Sequence, residues 1–463
     1  MKKLLLGFSL LLQLTASSKN YFVSGTGNDW NNDGLSINTP FLNLQRAADL
    51  TLPGDTVFAM NGTYSVDYDK VLIIKRSGTA DKWITYRNYP GHKPKILLKS
   101  TTWFAIHIIG ASYITIDGFE IEGNNSNVTL EYAWSQRKNM NDPSTSGNGI
   151  GIDEDKVANK VPHHIILQNN TVYKLGGGGM GGGGDYITIR NNLVYECGFY
   201  SPYGNSGISI FLPRDIDNYT GYKIFVINNI SHSNRNYIPF FGYNNGCCIT
   251  DGNGVILDTY KETNYRGKTL VANNLVYNNG GSGIHSFVST NIDMVNNTAY
   301  MNGQTDPDQY NPDNVQGEIY ARSSTNVNIL NNIMVAKPNA QLIWNDKDTN
   351  VVYDYNLYYN GRVNAGDVPG SGSHDINGKN PAFVDATNAN FRLKSESPAV
   401  DKGTDFLAAS RDFDGIVRPQ GGTSDIGAYE FVDNFLNFLA ISNAPSFINN
   451  NGSYNVNVSY SSA

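Results

Sequence analysis

Asp251-Gly252-Asn253-Gly254-Val255-Ile256-Leu257-Asp258, Asn273-Asn274-Leu275-Val276-Tyr277, Gly283-Ile284-His285-Ser286 and Asn296-Asn297-Thr298-Ala299-Tyr300 form one structural unit written twice within 50 residues. Each writing runs from a glycine turn through a short apolar strand to an Asn-Asn pair and a second small strand. The first writing has Ile256 and Asp258 where the second has His285 and Phe287. A scaffold that repeats while its side chains vary is where a site can be built.

Working outward, apolar strands run into Asn-Asn pairs at 169/170, 191/192, 228/229, 273/274, 296/297 and 331/332. The shortest spacings are about 22 or 23 residues, the length of one solenoid coil, and longer ones read as the same coil with an insertion. One such coil cannot bury its own apolar face and needs stacked neighbours, so the pattern predicts a parallel β-solenoid. Asn suits a recurring corner because it tolerates left-handed backbone and its amide can bond to the Asn of the next coil. The plain reading of these residues is a ladder, not a site.

Composition agrees with an all-β chain. Among 463 residues there are 47 Gly and only 16% charged residues, which favours turns and strands over long helices. A net charge of −7 weighs against a nucleic-acid partner. Cys197, Cys247 and Cys248 do not suggest a disulfide framework, and at least one of the adjacent pair is expected to be a small core residue.

At the start, Lys2-Lys3, the apolar run Leu4 to Leu14 and Ala16-Ser17-Ser18 read as a signal peptide, 1–18, and hence an exported protein, secreted, periplasmic or surface-held, without a membrane span. Thr39 is the expected N-cap of a short helix with Pro40 at its first position and Phe41, Leu44, Ala47 and Ala48 on one face. That helix would cap a solenoid running through 19–432. Residues 433–463 turn Ser/Asn-rich and read as the start of a β-sandwich-like module or tail.

The opening Tyr21-Phe-Val-Ser-Gly-Thr-Gly-Asn with Pro53-Gly-Asp-Thr-Val, the Asn-Asn-x-Val-Tyr coils, and the closing Ser397-Pro-Ala-Val-Asp, Asp414-Gly-x-x-Arg-Pro and Asp425-Ile-Gly-Ala-Tyr-Glu430 together carry a resemblance. The chain resembles the right-handed parallel β-helix proteins that include pectate lyases, alginate lyases and chondroitinase B. The resemblance implies a right-handed parallel β-helix, a bacterial origin and action on a polysaccharide. The strand that carries a lysine base in the aspartate-cluster pectate lyases reads Val255-Ile-Leu here.

Stacking coils on their Asn-Asn corners aligns Gly149-Ile-Gly-Ile-Asp, Gly207-Ile-Ser-Ile-Phe, Gly254-Val-Ile-Leu-Asp, Gly283-Ile-His-Ser-Phe and Glu318-Ile-Tyr-Ala-Arg. With a strand period of two, one outward column reads Gly151, Ser209, Ile256, His285, Tyr320 and its neighbour Asp153, Phe211, Asp258, Phe287, Arg322. Coils lie ~4.8 Å apart, so Asp258, His285, Tyr320 and Arg322 should share a face. Each has a plain reading as a surface or turn residue; their convergence raises the site reading.

For β-elimination on a uronate-containing polymer, Arg322, Arg266 or Ca²⁺ held by Asp251 and Asp258 would neutralise the carboxylate, His285 or Lys261 would be the base and Tyr320 the acid. Tyr260 and Tyr265 on an insertion, with Arg266, Glu318 and Asp153, would bind sugar. The insertions at 211–222, 231–247 and 259–267 were expected on one side of the face, and the glycine run 176–184, broken by Met180, would leave room for a chain close to the backbone. The alternatives are a glycoside hydrolase using a pair from Asp251, Asp258, Asp153 and Glu318, or a non-catalytic carbohydrate-binding protein. Either way the expected partner is a polysaccharide and the expected state a monomer.

Overall fold

A computed structural model describes residues 17–305, 316–361 apart from 339 and 345, and 372–433. Three parallel sheets wrap one core: a front sheet of eight strands, a long sheet of eleven whose strands run up to six residues, and a short sheet of eleven mostly three-residue strands. Each coil passes front, long, short. In one coil these are Ile284–Phe287, Thr290–Val295 and Thr298–Tyr300. The signal-peptide reading and the C-terminal module lie almost wholly outside the described residues.

Alternation drives the packing. Ile106, Ile150, Met180, Ile208, Val255, Ile284 and Ile319 stack in register down the inside of the front sheet, all buried. Each such residue contributes about 1.5–3 kcal/mol by leaving water, which no isolated coil could collect.

The two members of each Asn pair do different work. Asn169, Asn191, Asn228, Asn273, Asn296 and Asn331 take positive φ and turn the corner. Their successors form a buried amide ladder, Asn170 to Asn192 to Asn229 to Asn274 to Asn297 to Asn332 to Asn356, with each Nδ2 donating to the next Oδ1 at 3.0–3.1 Å. A second ladder, Asn234 to Asn279 to Asn302, ends on Glu318.

Several expectations need correction. The helix is Leu44–Ala48 with Asn43 at its N-cap, because Thr39 bonds to Asp33 instead; Phe41, Leu44, Ala47 and Ala48 are buried as expected. Cys247 and Cys248 are half-buried and bonded to each other, while Cys197 is the buried free thiol. The last parallel rung is Ile376–Asn377, followed by an antiparallel pair, Phe383–Asp385 with Asn390–Leu393. Residues 403–431 then fold back along the corner between the long and short sheets. There Asn273 and Asn331 donate to the carbonyls of Arg411 and Thr404 at 2.7 Å, and Leu407 and Ala409 cover Ala272, Val295 and Leu330. Arg418 and Glu430, from the last two of the three closing motifs, form a buried ion pair at 2.7 Å that pins this segment.

Candidate active site

The front sheet has the anticipated register. Ser209, Ile256, His285 and Tyr320 pair in one column, and Phe211, Asp258, Phe287 and Arg322 in the next. Insertions border this face from two sides, not one: 212–221 and 259–267 follow front strands, whereas 233–253 precedes one.

Facing away from the core does not mean facing water. His285 is 6% exposed and Tyr320 2%. Their rings stack at 5.0 Å and 8°. The Tyr320 hydroxyl lies 2.9 Å from Ser282 Oγ, which donates to Gln316 Oε1 at 2.7 Å, and Gln316 Nε2 donates to the Thr250 carbonyl at 3.3 Å. Asp258, Phe287 and Arg322 are only half-buried, so access is from their column.

Burial sets the charges. His285 Nδ1 is buried and has no hydrogen-bond partner; burial, and then the Arg322 charge, lower its pKa to about 3, so the imidazole is neutral. Asp258 Oδ1 also lacks a partner, and burial followed by the charges of Asp251 and Glu262 raises its carboxyl to about 8. It is therefore protonated at neutral pH. Burial raises Asp251 to about 6 against its hydrogen bonds from Thr250 at 2.7 Å, Asn253 at 3.1 Å and Ser206 at 3.4 Å. Arg322 stacks over Phe287 at 5.6 Å and holds Asp346 at 3.4 Å.

The other sequence candidates lie elsewhere. Tyr260 and Tyr265 are core rings in an edge contact at 5.5 Å, with Tyr265 donating to Asp185 at 2.7 Å; neither presents a face to solvent. Glu318 is buried and accepts from Asn302 through both its backbone and side-chain N–H, which makes it the end of a ladder. Arg266 is held by Asp215 at 3.0 Å and by Asp217 and Asn218. Lys261 Nζ donates to the Ser323 carbonyl at 2.7 Å. Asp153 is exposed at the other end of the face, about three rungs or ~14 Å from Asp258, bonded to His107 Nε2 at 2.7 Å.

His107 was missed. It pairs with Gly151 in the same column, and aligning Ala105-Ile-His-Ile-Ile with the later coils would have found it. Between the two ends one rung is bare backbone, and the next carries Ser209 and the exposed Phe211. Gly181 and Gly182 take φ of +129° and +137°, and a Cβ would come within 1.8 Å of the Ser209 carbonyl and 2.0 Å of that of Ile152. No side chain fits there.

The residues do not fit the expected Ca²⁺ site. Among the described residues no group of three or more His, Cys, Asp or Glu converges, and Asp251 is engaged by three donors. Ca²⁺ takes six to eight oxygens, several of them charged.

No curated protein matches the chain. Among solved structures it is similar to pectate lyase Pel9A (16% identity, 89% of this chain and 97% of that one, TM-score 0.49). It is also similar to a rhamnogalacturonan lyase (13%, 82% and 96%, 0.41) and to the GH136 lacto-N-biosidase of Eubacterium ramulus (15%, 73% and 56%, 0.44). At these identities the likeness is one of fold. No helix among the described residues is long and apolar enough to cross a membrane. Residues 21–185 match the family model described as Pel9A-like, right handed beta helix region, so the N-terminal coils are similar to that family's.

Proposed function

We propose that the protein is an exported polysaccharide lyase that cleaves a uronate-containing polymer by metal-independent β-elimination on the outer front sheet. The observation that carries this reading is a neutral imidazole, a protonated carboxyl and a guanidinium on three consecutive rungs, His285, Asp258 and Arg322. Elimination needs those three functions. Arg322 balances the uronate carboxylate and so acidifies the C5 proton; His285 removes that proton; the C4–O bond breaks as the C4–C5 double bond forms, and Asp258 protonates the departing oxygen. Asp258 suits the acid role better than Tyr320, whose hydroxyl is engaged by Ser282 and raised to about 12 by burial. The glycine floor gives the polymer room to lie towards Asp153 and His107.

A hydrolase would need two carboxyls flanking the bond. Of the other acids near Asp258, Asp251 has its oxygens committed to Thr250, Asn253 and Ser206, and Glu262 is exposed on the insertion that follows the front strand, which favours elimination. The test is a panel of pectate, alginate, glycosaminoglycans and neutral algal polymers, followed by ultraviolet absorbance of unsaturated ends and by reducing-end formation. Elimination gives both signals, hydrolysis only reducing ends; reducing ends alone would overturn the lyase reading, and neither signal would leave a binding protein.

A further inference from the structure

The corner between the long and short sheets is covered in the later coils and open in the earlier ones. Where it is covered, the last outward position of the long strands reads Ile227, Ala272, Val295 and Leu330, and the chain's own 403–431 segment lies on it. In the earlier coils the same position reads Arg87, Asp117, Gln168 and Arg190. An extended chain can thus lie along this corner, but over the first coils the surface is polar and would receive a polar chain, not an apolar polypeptide.

A cavity of about 520 Å³ occupies the open part, within the range of small-ligand sites. Arg87 and Lys93 line it with Asp117, Glu120, Tyr173 and Tyr195; Asp117 already accepts from Asn169 at 2.7 Å and Glu120 from the Tyr173 hydroxyl at 2.6 Å. Arg87 Nε is buried without a hydrogen-bond partner, and its guanidinium reaches Asp117 only at 3.6 Å. The loop carrying Lys93 is fixed by a bond from its N–H to Asn61 at 2.8 Å, while among the described residues its exposed ammonium forms no ion pair. Tyr173 and Tyr195, both lining the cavity, stack at 5.0 Å and 2°. A guanidinium that reaches its one carboxylate only at 3.6 Å, an ammonium without an ion pair and two tyrosine rings suit an anionic sugar ring: charge for its acid group, aromatic surface for its C–H groups.

We infer that this corner cavity is a second carbohydrate site that binds acidic residues of a polysaccharide, separate from the front-sheet face. The choice of an acidic sugar accords with the proposed function, but the cavity's own cations carry it. Front sheet and corner lie on different sides of the solenoid, so the site would hold polymer without touching the reacting bond.

The test is affinity electrophoresis through gels containing polygalacturonate or alginate, with a neutral galactan gel as control. It uses the wild type, His285→Ala and the double variant Arg87→Ala/Lys93→Ala; the latter two side chains are partly or fully exposed, so folding should survive, as circular dichroism would verify. The double variant should lose about ten-fold in apparent affinity for at least one acidic gel, with turnover of short fragments unchanged, while His285→Ala keeps its retardation. Equal retardation of the double variant and wild type overturns the inference, as does failure of the wild type to be retarded by either acidic gel. Retardation lost with Arg87 and Lys93 in a protein that cleaves nothing would support the corner site and remove the proposed lyase function alone.

Discussion

The two ends of the front face carry the same residue types in opposite states. At one end His107, buried like His285 and likewise with an unpartnered Nδ1, is bonded through Nε2 at 2.7 Å to Asp153, which is exposed. At the other, His285 and Asp258 each keep a buried atom without a partner, and burial holds both uncharged. A pair whose carboxylate stays in water contributes little. Buried groups left unsatisfied lower stability, and such groups concentrate where chemistry is done. The difference lies in what covers each pair, not in the pair itself.

The largest expected effects would break that contrast outright. His285→Ala should lower kcat by about 10²–10⁴-fold, the range for loss of a general base, whereas His107→Ala should change it by no more than a few-fold. Initial rates of unsaturated-product formation measure both, and similar losses at the two ends would remove the distinction. For Asp258→Asn a loss of about 10²-fold is expected, since the amide cannot donate a carboxyl proton.

The pH profile sharpens the comparison. Asp258 must be protonated and His285 neutral, so kcat/KM should fall as pH rises through about 8 and as it drops towards about 3.

Stability should respond in the opposite sense to activity. The Asp258 carboxyl titrates near 8 when folded and near the ordinary 3.8 when unfolded, so between those values the unfolded chain releases a proton that the folded one keeps. Stability therefore declines across that window. Asp258→Asn, which has no proton to lose, should raise Tm by about a few °C at pH 7 and by nothing near pH 3.5, as calorimetry would reveal. The smallest effect concerns metal: activity after EDTA treatment should stay within about two-fold of the untreated enzyme, and a loss restored by Ca²⁺ would return Asp251 and Asp258 to a metal site.

Much of this was legible in the sequence because a solenoid turns one dimension into another. A coil length near 22 residues and an Asn pair per coil are enough to set the register, since a strand's period of two then assigns every side chain inward or outward. Ile284 inside and His285 outside follow from that alone, as does the pairing of Asp258 with Phe287. The sequence also bounded the chemistry, by bringing an acid, an imidazole, a phenol and a guanidinium to adjacent rungs.

What it could not determine was exposure. An outward position is free or buried according to loops whose path depends on contacts far along the chain. Gln316 reaches Thr250, 66 positions away, beside the Tyr320 column, and residues 403–431 return to cover corners laid down by residues 227–330. The same uncertainty misassigned Tyr260, Tyr265 and Glu318, which read as ligands for a sugar and are core rings and the end of an amide ladder. Periodicity is a local property and survives in the string of residues; desolvation, which decides whether Asp258 is an anion or an acid, is a property of everything packed around it and exists only in the folded chain.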